Sequence, residues 1–131
     1  MPKSLVEVRR PYPDAEATAI MDAVHDALVS AFRIPPQDRT VRLVEHAPQR
    51  FSCSPELEHP ERYTMVTIEC FAGRSLDAKR RLYGELADRL APLGIPGDHL
   101  SIILHEIELQ NWGMDGGRAA IDADLGFALD V

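Results

Sequence analysis

The sequence predicts an α+β fold in which two β-α-β units share a four-stranded, mainly parallel sheet with both helices on one face. Two observations carry this. Two stretches with apolar residues at three- and four-residue spacing are each flanked by apolar, β-branched runs. The segments leaving those stretches also echo one another: IPPQDRTVRLVEH and IPGDHLSIILHE both give Ile-Pro, an Asp, then an apolar run ending near His and Glu.

Each element follows in order. Ser4 to Val8 alternate in polarity and read as a strand that stops before Pro11 and Pro13. Asp14 offers an N-cap for a helix reaching Phe32, with Ala17, Ile20, Met21, Val24, Leu28 and Phe32 on one face. After Pro35 and Pro36, TVRLVEH suits a second strand. Tyr63 to Phe71 (YTMVTIECF) is β-branched and aromatic and reads as a third. Ser75 caps a second helix striped by Leu82, Leu86, Leu90 and Leu93, which Gly94 and Pro96 end. LSIILHE is the fourth strand. The chain reads as one domain over residues 1–131, with halves at about 1–46 and 63–106 and a C-terminal loop and short strand. A strand-helix-strand unit normally gives a parallel pair by a right-handed crossover. With both helices on one face, the other face is left uncovered, which predicts an oligomer.

Composition excludes several functions. A net charge of −7 and a pI near 5.1 argue against nucleic acid or an anionic membrane as partner. No apolar run has the length of a membrane span, and MPKSLVEVRR is no signal peptide, so the expected location is the cytoplasm. Cys53 and Cys70 read as free thiols. The five histidines show no metal-ligand spacing, Gly116-Gly117 marks a turn and not a phosphate loop, and no Ser or Cys has a nucleophile-elbow context. Neither metal nor cofactor is expected.

Pro2, directly behind Met1, has two readings. It can simply start a strand, where its missing N–H is harmless. Alternatively, a small second residue permits removal of Met1, which turns Pro2 into a free secondary amine titrating near neutrality. An unprotonated amine removes a proton beside a carbonyl and returns it elsewhere. A Met-Pro amide does neither.

The N-terminal Pro2, the two β-α-β units, IPPQDR, FAGRS and the NWGMDGGRAAIDADLGF tail together resemble the tautomerase superfamily, in particular its longer-chain branch that includes malonate semialdehyde decarboxylase. The resemblance spans nearly the whole chain. It implies a homotrimer with sheets packed around a central axis, a small carboxylate substrate and no cofactor. It also implies Pro2, Asp38 and Arg74 as catalytic residues. Arg74 would present a guanidinium fork to the substrate carboxylate, and Asp38 would orient a water or the Pro2 ammonium. Trp112 would wall the pocket and Arg10 would bind substrate, although Tyr12 stands where the short tautomerases place their arginine. A further departure is Leu76, where the decarboxylase pattern has a second arginine two residues after the first.

These residues have plain alternatives too: Asp38 as a turn residue, Arg74 as a solvated side chain near a helix start, and Trp112 as a loop anchor. Tautomerisation of a small 2-oxo acid or its enol is the expected activity. The alternatives are decarboxylation or hydration of a small 3-oxo or unsaturated acid, and a trimeric binding protein without turnover.

Overall fold

The computed structural model describes residues 2–131. Met1, whose removal the free-amine reading requires, lies outside the described residues. The strands are β1 (Lys3–Val8), β2 (Val41–Glu45), β3 (Thr64–Phe71) and β4 (Leu100–Ile107), and the helices are α1 (Asp14–Phe32) and α2 (Leu76–Leu90). The sheet order is β2-β1-β3-β4. β1 runs parallel to β2 and β3 parallel to β4, so each half forms the expected parallel pair. The halves meet back to back through an antiparallel β1–β3 pairing centred on Val6 opposite Val66.

Side-chain alternation then decides the layers. Ser4, Val6 and Val8 of β1 and Thr64, Val66, Ile68 and Cys70 of β3 are buried under the helices. Ile20, Val24, Leu28 and Phe32 of α1 and Leu82, Leu86 and Leu90 of α2 close that side. Each of these two stripes recurs at three or four residues because that spacing returns a side chain to the same helix face. Among the described residues no such layer covers the opposite sheet face, and Val44 and Ile103 on it are 41% and 42% exposed.

Two helix boundaries refine the sequence reading. Asp14 is the first residue of α1 and not its cap; Pro13 precedes it without a side-chain cap, and the Asp14 and Glu16 carboxylates face the positive helix end instead. Ser75 does cap α2, its Oγ accepting from the Ala78 N–H at 3.1 Å. After Leu90 the chain tightens into a 3-10 turn, Ala91–Leu93, and reverses at Gly94, whose φ of +88° favours glycine. The tail carries a small hairpin, β5 (Gly113–Met114) with β6 (Arg118–Ala119), turned by Asp115, Gly116 and Gly117 at positive φ.

Candidate active site

The antiparallel β1–β3 junction brings the start of β1 beside the end of β3. Lys3 lies opposite Glu69, so Pro2, one residue earlier, sits at the sheet end where β3 runs out towards Arg74. Pro2 is buried. The approach to β2 arrives at the same end: the Ser4 N–H donates to the Thr40 carbonyl and Lys3 Nζ to Thr40 Oγ1, both at 3.1 Å. Asp38, two residues before Thr40, is half-buried in a turn closed by its own N–H on the Pro35 carbonyl. Pro2, Asp38 and Arg74 therefore all belong to segments at one end of the sheet.

Arg74 is only 5% exposed. One nitrogen, Nη1, donates to the Phe71 carbonyl at 3.1 Å. Nε and Nη2 are buried and have no hydrogen-bond partner among the described residues. Those two N–H groups lie along one edge of the guanidinium, the edge that grips a carboxylate with two parallel bonds. The Phe32 ring lies 4.8 Å and the Phe127 ring 5.8 Å from Cζ. Burial pulls the Arg74 pKa below its ordinary value, opposed by the neighbouring Cys70 thiol and Glu106 carboxylate. Burial likewise pushes the Cys70 thiol up, with the Arg74 cation acting the other way. Taking a guanidinium out of water is costly to the fold unless acceptors or an anion face its N–H groups.

Trp112 packs edge-on against Phe71, with ring centres 4.7 Å apart. With Lys3, Glu69, Ile107, Asn111 and Gly113 it lines a cavity of about 340 Å³. That cavity borders the uncovered sheet face, and Pro2 and Arg74 are not among its walls. Arg10 lies beyond the other end of β1, roughly 25 Å from Pro2 at about 3.3 Å per residue. There it rests over the Tyr12 ring at 5.1 Å and donates to the Pro11 carbonyl. Within one chain, Pro2, Asp38 and Arg74 lie towards one end of the sheet and Arg10 towards the other. Among the described residues no three metal-ligating side chains converge.

Three features escaped the sequence reading. Arg9 donates to the carbonyls of Phe51, Pro60 and Pro48 and so ties down the loop between β2 and β3. His99 is buried, with Nδ1 2.7 Å from Asp98 and Nε2 accepting the His59 N–H. Phe127 flanks Arg74 from the far C-terminal tail. Its signal was present in the period-two spacing of Leu125, Phe127, Leu129 and Val131.

Comparison with known proteins adds to this geometry. A malonate semialdehyde decarboxylase, studied for its decarboxylase and hydratase activities, superposes with a TM-score of 0.78 at 26% identity over 89% of this chain and 93% of that one. The FG41 malonate semialdehyde decarboxylase, inhibited by 3-bromopropiolate, gives 0.74 at 30% identity over 89% and 92%. A fused 4-OT forming an asymmetric trimer gives 0.81 at 18% identity over 91% and 96%, a likeness of fold. No curated protein sequence matches. A family model described as tautomerase enzyme matches residues 38–115, more than half of the chain and a span that includes both Asp38 and Arg74. Fold, duplicated halves and sequence match agree: the chain belongs to the tautomerase enzyme family.

Proposed function

We propose that the protein is a cofactor-independent tautomerase acting on a small 2-oxo acid or its enol, with Pro2 as general base after Met1 is removed. The observation that carries this is the buried Nε–Nη2 edge of Arg74, which no described residue engages, at the same sheet end as Pro2. That edge holds the substrate carboxylate with two charge-assisted bonds. So fixed, the substrate presents its adjacent carbon to the Pro2 nitrogen, which takes a proton from one atom and delivers it to another. Asp38 assists by stabilising the protonated amine between the two transfers. The protein assembles as a homotrimer, as the fused 4-OT does, covering the open sheet face with its Val44 and Ile103. Trp112 then walls the pocket near a subunit boundary, and Arg10 reaches a substrate only from a neighbouring copy.

The test is ketonisation of an enol 2-oxo acid by protein whose intact mass lacks Met1. Pro2→Ala should lose roughly 10²–10⁴-fold in kcat, the usual worth of a positioned base. An unchanged rate would end the mechanism. The likeness to two malonate semialdehyde decarboxylases supports a second reading, decarboxylation or hydration with Asp38 activating water. Leu76, in place of a second arginine, weighs against it. Under that reading Asp38→Asn abolishes turnover of a 3-oxo or unsaturated acid while simple ketonisation survives.

A further inference from the structure

The last nine residues form a bent strap that belongs to no helix or sheet, turning at Gly126 with a φ of +74°. Its inward side alternates strictly: Leu125, Phe127, Leu129 and Val131 are half-buried and the residues between them are exposed. The strap lies over the loop that carries Arg74. Phe127 flanks the guanidinium. Leu129 presses on Gly73 so closely that a Cβ there would meet the Leu129 Cβ at 3.3 Å, and Gly73 itself has a φ of +133°. At its end the main-chain oxygen of Val131 accepts from the Ser75 N–H at 3.1 Å and from Ser75 Oγ at 2.8 Å.

This arrangement leaves Arg74 sealed, with Nε and Nη2 shut off from solvent. For an anion to reach Nε and Nη2, a wall has to move. Phe32 and Phe71 are fully buried side chains on α1 and β3, elements held by continuous backbone bonding. The strap is held by half-buried apolar side chains and by two donors from Ser75 on one main-chain oxygen, the kind of segment that opens well below the cost of global unfolding.

We infer that residues 123–131 are a lid: the strap lifts from Gly73 and Ser75 to admit a small carboxylate to Arg74, then closes to exclude water from it. This rests on the proposed reading of Arg74 as the carboxylate site. Closure strengthens the ion contact by lowering the local dielectric.

The experiment reads Arg74 directly. Full-length wild type and Leu129→Ala are treated with phenylglyoxal, and modified arginines are mapped by peptide mass, with and without pyruvate as the anionic probe. Arg39, exposed on the surface, is the internal control. In wild type Arg74 should react far more slowly than Arg39. Leu129→Ala should accelerate it about tenfold, the shift expected when a half-buried apolar contact is lost from the closed state alone. The Arg39 rate should not change, and pyruvate should protect Arg74 in both proteins. Arg74 reacting as fast as Arg39 in wild type, or equally slowly in both folded proteins, would overturn the lid. Should Leu129→Ala fail to fold, hydrogen exchange of the wild type decides: the Ser75 amide should exchange much faster than the Val6 and Val66 amides, and equal protection overturns the proposal. Absence of pyruvate protection removes the carboxylate reading and the lid with it. Intact protection with no ketonisation activity removes the tautomerase chemistry and leaves the lid standing.

Discussion

Replacing Arg74 by methionine separates function from stability, because the two effects are expected to differ widely in size. Two buried donors, Nε and Nη2, have no hydrogen-bond partner among the described residues. Each such group costs about 1–3 kcal/mol. Arg74→Met removes both penalties and fills similar space with an unbranched apolar chain. It also strands the Phe71 carbonyl, at about 1–3 kcal/mol, and loses the contact with the Phe32 ring, worth about 0.5–2 kcal/mol. These contributions nearly cancel, so urea unfolding should place the variant within about 2 kcal/mol of wild type, whereas breaking a satisfied buried ion pair costs about 3–5 kcal/mol. Carboxylate recognition has no such compensation. Two charge-assisted bonds at about 1.5–3 kcal/mol each are lost, which predicts a fall of roughly 10²–10⁴ in kcat/KM for enol ketonisation. Arg74→Lys should recover part of that fall, since it restores charge without the fork. A variant that loses more than about 3 kcal/mol of stability while binding and turning over carboxylates normally would refute the reasoning, and would make Arg74 a structural residue.

Two further outcomes are expected. Burial holds the Cys70 thiol above its ordinary pKa, so the folded state retains that proton while the unfolded chain releases it. The stability this contributes is complete below the unfolded thiol value of about 8.5 and is lost as pH rises through the folded one. Urea melts above about pH 9 should therefore show a negative slope of up to about 1.4 kcal/mol per pH unit that Cys70→Ala lacks; parallel slopes in the two proteins would show that the thiol does not titrate on unfolding. Leu76 is 58% exposed in the first turn of α2, so Leu76→Arg should alter stability by no more than about 0.5 kcal/mol. It should improve kcat/KM for a dicarboxylic 2-oxo acid about tenfold over a monocarboxylic one, through one added ion contact; an unchanged ratio would place position 76 outside substrate reach.

The elements were legible because their signals are local. The leucine stripe of α2, the β-branched run of β3 and the Ser75 cap each depend on residues a few positions apart, and each lies where the periodicity put it. The repeated Ile-Pro exits disclosed the two halves. Asp14 was misread as a cap because a carboxylate suits both the cap and the first turn, and only backbone geometry separates the two. The burial of Arg74 was hidden for a different reason. Its surroundings come from Phe32 at the end of α1 and Phe127 in the tail, which no periodicity links to FAGRS. Arg9 escaped in the same way, since its three acceptors are main-chain carbonyls, which leave no mark on side-chain identity.

The back-to-back joining of β1 and β3 relates the halves by an approximate two-fold axis through the Val6–Val66 pair, which makes Arg62 the positional counterpart of Pro2. Linking two copies head to tail breaks that symmetry chemically. A chain has one amino terminus, so the nitrogen at position 62 is a peptide amide that no processing can free. The far end of the sheet is thereby released from the chemistry proposed for the near one, and its residues serve packing instead: Arg62 lies 5.8 Å from the Tyr12 ring, and the loop before it is pinned by Arg9 and His99. In a duplicated fold of this kind, the peptide bond that fuses the copies also decides which of two equivalent ends is able to remain a catalyst.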